Sequence, residues 1–175
     1  MTLDNMWAWA WLLFWGGSAL GLLIFTLVTS SGVRLEEEGE EDEMIEINGR
    51  VVFTEAELRC KGTGQLRLAP SFADKLREIR EAMGEAMVVN SCCRAPSHNR
   101  AVGGHPRSLH LTEGGRETQG CCAIDIGTRG QRPEYRAKLV RLALERGWSV
   151  GVHSGFIHLD LRTDLAGLQQ NVFNY

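Results

Sequence analysis

The fold is decided by the stretch FIHLDLR at residues 156–162, whose side chains alternate in polarity without a break. Successive side chains of a β-strand point to opposite faces of the sheet. One face of this strand would therefore be apolar and packed into the core, formed by Ile157, Leu159 and Leu161. The other face would present an imidazole, His158, and a carboxylate, Asp160, side by side where solvent or a ligand can reach them.

A second alternating stretch, CCAIDI at residues 121–126, would leave Asp125 on the face opposite to its apolar side chains. Upstream, His110 lies in a segment rich in turn residues. Two histidines and an aspartate are sufficient for a catalytic zinc site, which uses three protein ligands and keeps a fourth position open for water. We therefore expect Zn²⁺ to be bound by His110, Asp125 and His158.

Several motifs occur in a fixed order along residues 51–162: FTEAELRCKGTG at 53–64, SCCRAPSHN at 91–99, SLH at 108–110, AID at 123–125 and FIHLD at 156–160. In this order they resemble the zinc D-Ala-D-Ala carboxypeptidase family. That family includes VanX-like dipeptidases and phage L-alanyl-D-glutamate endolysins, and it shares its fold with the Hedgehog signalling domain. The combination is more specific than any one motif.

The resemblance implies a zinc peptidase that hydrolyses peptidoglycan stem-peptide bonds, of the D-Ala-D-Ala carboxypeptidase or L-Ala-D-Glu endopeptidase type. Arg94 matches a family arginine that binds a substrate carboxylate, for which a planar guanidinium can donate two parallel hydrogen bonds. Ser108 is expected beside Arg94 in the substrate site, supporting the metal ligands.

The chain departs from the family in the spacing of two metal ligands. Histidine and aspartate are usually seven positions apart in the family, whereas His110 and Asp125 are separated by fifteen. The extra residues, within 112–120, are polar and rich in glycine, which predicts a surface loop that reshapes the rim of the cleft.

The general base is the second departure. Relatives often carry a carboxylate three residues before the last histidine, where this chain has Gly155. We expect Asp160 to act as the base, with His153 as the alternative and Glu113 as a further candidate. Asp160 could instead orient a metal ligand. The absent carboxylate also keeps open a second function, a catalytically silent zinc-binding recognition module on the same fold.

Five cysteines cannot all pair with one another. We expect small buried thiols, with one member of each adjacent pair, Cys92-Cys93 and Cys121-Cys122, in the core. A structural zinc site built from four cysteines is an alternative that lacks the usual C-x2-C spacing. A thiol redox protein lacks the C-x-x-C motif.

Residues 6–30 carry no charge and have four tryptophans in their first half, which predicts a single membrane-spanning helix rather than a cleaved signal peptide. The predicted domains are an anchor (1–30), an acidic linker (31–46) and a zinc peptidase domain (47–175). Initiation at Met44 would instead give a soluble product. The net charge of −3 and the scattered basic residues do not indicate a nucleic-acid partner.

Periodicity predicts an α+β fold, an antiparallel sheet with helices on one face. The helices are expected at 71–83, with a capping box formed by Ser71 and Asp74, and at 133–146, where Tyr135, Leu139, Leu142 and Ala143 lie on one face. Strands are expected at 87–93 and 148–152, in addition to the two alternating stretches.

Overall fold

The computed structural model describes residues 44–47 and 50–175. The predicted membrane segment, residues 6–30, lies outside the described residues. Within the part of the chain that the structure describes, no helix is long and apolar enough to cross a membrane. The first strand begins at Met44, so the last residues of the predicted acidic linker belong to a strand.

The described chain forms an α+β fold with a two-stranded hairpin and a five-stranded sheet. The elements in chain order are β1 (Met44–Ile47), β2 (Arg50–Thr54), α1 (Glu55–Leu58), α2 (Phe72–Met83), β3 (Val88–Ser91), α3 (Pro96–Ala101), β4 (Ala123–Gly127), α4 (Pro133–Glu145), β5 (Ser149–Val152), β6 (Phe156–Asp160), α5 (Arg162–Ala166) and β7 (Val172–Asn174).

The five-stranded sheet has the order β3-β4-β6-β5-β7. Its neighbours pair antiparallel except β5 and β7, which are parallel. The four strands expected from the sequence pair antiparallel, as predicted, and β7, which was not predicted, adds a parallel edge. The reason is the connection that follows β6: the chain passes through α5 and then returns beside β5 in the same direction, which no local pattern reveals.

The two longest helices, α2 and α4, share one hydrophobic core with the sheet. Ile124, Ile126, Ile157 and Leu159, which alternate along β4 and β6, are at most 1% exposed, as their alternation predicts. The predicted buried face of α4 is confirmed, since its buried residues are Tyr135, Leu139, Leu142 and Ala143. Burial on the helix side leaves the opposite face of the sheet for polar side chains.

The start of α2 differs from the prediction. Ser71 has φ 65° and its side chain makes no capping hydrogen bond, while Asp74 pairs with Arg77. In this left-handed conformation Ser71 does not present its hydroxyl to the first turn. A capping box occurs instead at α1, where Thr54 and Glu57 each bond the other's backbone N–H.

Several strand ends also differ. β6 ends at Asp160, and Arg162 begins a helix instead of continuing the alternation. The adjacent cysteine pairs lie just outside β3 and β4, and both members of each pair are at most 2% exposed. The expectation of one buried thiol per pair is wrong because alternation holds only within a strand. All five cysteines are free thiols.

Candidate metal centre

The polar face of the sheet brings two of the predicted ligands together. Asp125 on β4 and His158 on β6 are direct cross-strand partners, so their side chains project from the same face at neighbouring positions. His110 reaches them from a turn. The Arg94 backbone N–H holds this turn in place by donating to the His110 carbonyl at 2.7 Å. All three predicted ligands are buried, with 1% to 8% of each residue exposed.

One atom from each of these three residues faces a common point. His158 Nδ1 lies 2.8 Å from Asp125 Oδ1 and 3.2 Å from His110 Nε2, and that nitrogen lies 3.4 Å from the same Asp125 oxygen. Zinc bonds of 2.0–2.1 Å in a tetrahedron place neighbouring ligand atoms about 3.3 Å apart. The three observed separations therefore match three edges of such a tetrahedron, with one corner left for water or substrate.

The hydrogen bonds behind the ligands decide which ring nitrogens face this point. His110 Nδ1 donates to the Cys92 carbonyl at 2.6 Å, and His158 Nε2 donates to the Asp160 carboxylate at 3.0 Å. Each neutral imidazole carries one proton, so the other nitrogen presents a lone pair. Two nitrogen lone pairs and a carboxylate oxygen therefore face one point. These three electron-rich atoms repel one another unless a cation or a proton lies between them. The donor set therefore fits a metal ion.

The pKa shifts of the metal-free side chains agree with this arrangement. Burial alone would lower the pKa of His158, but hydrogen bonds to Asp125 and Asp160 outweigh it and raise the pKa. Burial lowers the pKa of His110 although Asp125 opposes the change. Burial would raise the pKa of Asp125, yet the two histidines hold it well below its usual range. The carboxylates that raise the pKa of His158 would also stabilise a cation at this point.

Asp160 lies behind the ligands, with none of its surface exposed. Its Oδ2 accepts from His158 Nε2 and from Arg162 at 2.6 Å, and its Oδ1 accepts from Arg162 Nε at 2.8 Å and from the Arg162 backbone N–H. Burial raises the pKa of Asp160, but these bonds lower it to about 2. The expectation that solvent reaches this carboxylate is wrong, because Arg162 turns back from α5 and covers it.

Arg94 and Ser108 lie next to the three ligands. One terminal nitrogen of Arg94 is 3.5 Å from Asp125 Oδ2, and its Nε is buried without a hydrogen-bond partner among the described residues. Ser108 Oγ accepts from the His110 backbone N–H at 3.3 Å, so it braces the turn that carries this ligand. Arg94 thus has an unused donor beside the metal position, and Ser108 contacts backbone.

No hydrogen bond among the described residues joins His153 or Glu113, the other candidates for the base, to a ligand atom. His153 stacks on Phe156 with ring centroids 4.4 Å apart, and its Nδ1 accepts from the Gly155 N–H. It also lines a cavity of about 490 Å³ together with Gly127 and Phe156, which lie two positions from Asp125 and His158 on the same strands. Glu113 is exposed in the inserted loop.

The inserted loop is partly buried rather than wholly on the surface. Thr118 is buried, and its hydroxyl bonds the carbonyls of Gly115 and Gly120, both at 2.9 Å. The loop therefore folds onto itself between His110 and Asp125, which explains how a longer connection preserves the ligand geometry.

Two aromatic residues near the end of the chain, Phe173 and Tyr175, were missed by the sequence analysis. Their rings lie 5.8 and 5.4 Å from the ring of His158. Partial burial of its hydroxyl and the charge of Asp125 raise the pKa of Tyr175 to about 12, so this hydroxyl is protonated at neutral pH although much of the residue is exposed. The only available signal is the short alternation VFN at residues 172–174, which is too brief to predict a strand at the sheet edge.

A second group of side chains with metal-binding atoms is formed by Cys92, Cys93 and Cys121, whose sulfur atoms lie within 4.8 Å of one another. Cys92 and Cys121 Sγ are 3.8 Å apart inside the hydrophobic core. The fourth cysteine of the predicted alternative, Cys122, is not part of this group. Buried thiols that fill the core explain the cluster.

The His-Asp-His donor set on this α+β fold, with a fourth corner left open, has the form of a catalytic metal site. A family model described as peptidase M15 matches residues 48–160, and the chain belongs to this family. M15 peptidases depend on zinc and act on peptidoglycan-type substrates. A search of curated proteins returned no match to the chain.

Proposed function

We propose that the protein hydrolyses a peptide bond in peptidoglycan stem peptides, as a D-Ala-D-Ala carboxypeptidase or an L-Ala-D-Glu endopeptidase. The observation that carries this proposal is the convergence of His110 Nε2, Asp125 Oδ1 and His158 Nδ1 at tetrahedral spacing. Their lone pairs leave one corner open, as a catalytic zinc site requires. The family supplies the general substrate class.

In this proposal His110, Asp125 and His158 hold Zn²⁺. Bound there, zinc would act as a Lewis acid and lower the pKa of a water molecule to about 7. Arg94 binds a carboxylate of the substrate, because its buried Nε lacks a partner and a guanidinium can donate two parallel bonds. Its contact with Asp125 supports a position for that carboxylate beside the metal.

The environment of the two acid–base candidates favours different roles for them. Both oxygens of Asp160 are already bound by Arg162 and His158, which suits a residue that orients its metal ligand. His153 is half-buried and lines the cavity that Gly127 and Phe156 also line, two positions along β4 and β6 from Asp125 and His158. We therefore propose that Asp160 positions His158 and that His153 accepts the proton released when water attacks the amide.

The test uses the purified full-length chain. Metal analysis should find about one zinc per chain, and digestion of purified peptidoglycan should release fragments identified by mass spectrometry. Loss of a terminal D-alanine indicates a carboxypeptidase, and separation of L-alanine from D-glutamate indicates an endopeptidase. Chelation should abolish the release and added zinc should restore it. A chain that binds no zinc after titration contradicts the proposal.

A second candidate function, a silent zinc-binding recognition module, is favoured by one observation. Gly155 stands where relatives often carry a carboxylate, and its nearest side chains are His153 and Arg129. This candidate predicts zinc binding and binding of stem peptides without any cleavage. Equilibrium binding of a synthetic stem pentapeptide, measured beside the digestion assay, separates the two functions.

A further inference from the structure

Tyr175 lies at the ring nitrogen of His158 that faces the metal position, whereas Asp160 binds the other ring nitrogen. Its hydroxyl lies 3.4 Å from His158 Nδ1, the atom of His158 that faces the other two ligand atoms. Its ring packs edge-on against Phe156, with centroids 5.4 Å apart. The residue keeps 61% of its surface exposed, so it forms a wall of the site that a substrate can approach.

The backbone holds this tyrosine in place. The Tyr175 N–H donates to the Val152 carbonyl at 3.0 Å, which extends the parallel pairing of β7 with β5. Gly151 is the cross-strand partner of His158 on β5. A Cβ added at Gly151 would lie 2.8 Å from ring atoms of both Phe173 and Tyr175. The two rings therefore occupy the space of a missing side chain beside His158.

Phe173 connects this aromatic pair to the support of the ligand. The guanidinium of Arg162 lies over its ring at 4.8 Å, and the same guanidinium binds Asp160. Asp160 in turn orients His158. The arrangement of β7 is thus coupled to the metal ligand through packing as well as through the tyrosine hydroxyl.

We propose that Tyr175 is a further catalytic residue, whose hydroxyl donates a hydrogen bond to the oxygen of the scissile carbonyl as that oxygen gains negative charge at the open corner. This inference rests on the proposed peptidase function. It goes beyond the family match, which ends at residue 160. The tyrosine keeps its proton throughout, so no bond to it forms or breaks. A donor aimed at a developing oxyanion typically contributes about 10²–10³-fold to kcat.

The experiment compares the full-length wild type with Tyr175→Phe, which keeps the ring packing and removes only the hydroxyl. We expect kcat to fall about 10²-fold, with KM and zinc affinity within twofold of wild type. The Co²⁺-substituted variant should keep the visible spectrum of wild type. The control is Tyr135→Phe, which removes a buried hydroxyl that donates to the Ala86 carbonyl and should leave kcat unchanged.

A binding measurement separates this inference from the proposed function. A phosphinate analogue of D-Ala-D-Ala mimics the tetrahedral geometry and charge of the reacting carbonyl. Calorimetry with zinc-loaded protein should show about 10²-fold weaker binding to Tyr175→Phe, whether or not the wild type cleaves peptidoglycan. A wild type that binds zinc and the phosphinate but cleaves nothing would overturn the peptidase function and leave the role of the hydroxyl measurable.

Two results would overturn the inference. Equal kcat and equal phosphinate affinity in Tyr175→Phe and wild type would show that the hydroxyl contacts nothing in the reaction. A loss of zinc affinity with a changed Co²⁺ spectrum would make Tyr175 a metal ligand instead.

Gly151→Ala displaces both rings and keeps the hydroxyl, and should also lower kcat while zinc stays bound.

Discussion

Replacing Asp160 with Asn tests whether this carboxylate orients a ligand or accepts a proton. The side chain is fully buried and accepts four hydrogen bonds, from His158, from two nitrogens of the Arg162 guanidinium and from the Arg162 backbone. An amide can accept at one oxygen only, so its NH₂ group must face donors of Arg162 or His158. The replacement also leaves the Arg162 guanidinium without its counter-charge.

The stability cost follows from the pKa of Asp160. The fold depresses this pKa from 3.8 to about 2, and each unit is worth about 1.4 kcal/mol, so the ionised carboxylate contributes about 2–3 kcal/mol. Because the pKa is lowered, this contribution is present above about pH 4 and is lost as the pH falls through about 2. Urea unfolding should therefore show that the difference in unfolding free energy between metal-free wild type and Asp160→Asn decreases as the pH falls from about 4 through about 2.

The functional outcome separates the two roles. An orienting carboxylate predicts that Asp160→Asn lowers zinc affinity about 10–100-fold, with part of the activity restored at saturating zinc. A general base predicts unchanged zinc affinity and a kcat lower by about 10²–10⁴-fold. Competition with a fluorescent chelator gives the zinc affinity. An unchanged zinc affinity with a strongly lowered kcat would refute the orienting role and identify Asp160 as the general base.

Three further replacements and one control test the remaining assignments. His158→Ala should remove most zinc affinity, because two ligands cannot complete the tetrahedral site. The control, His98→Ala, changes a histidine on α3 that is not part of the ligand group and should leave metal content unchanged; equal losses would mean that the ligands are misassigned. Arg94→Lys should lower kcat/KM for a stem peptide by about 10–150-fold with zinc retained, since a charged hydrogen bond worth about 1.5–3 kcal/mol is lost; unaltered kinetics would make Arg94 a structural residue. His153→Ala should lower kcat about 10²–10⁴-fold with zinc retained, and added imidazole should restore part of it; a silent replacement would remove His153 from the mechanism and direct attention to Glu113.

Much of the site was predictable because its central pieces lie on short, regular strands. Alternation alone places Asp125 and His158 on the face opposite to the isoleucines and leucines, and the sheet pairs these two residues directly. The same local logic predicted α4 and its buried face. His110, on a turn without periodicity, could be assigned only through the resemblance of the motif.

The sequence by itself determined which face of each strand and helix is apolar and which polar residues lie outside the core. It also determined the order of the family motifs. The tertiary structure alone decided the surroundings of the ligands. Arg162 closes over Asp160 because the strand ends and a helix begins, and Tyr175 reaches His158 because β7 returns parallel to β5. Periodicity reports only on a residue's neighbours along the chain. Side chains that meet across the sheet edge depend on how the connecting segment is routed, which no local pattern encodes.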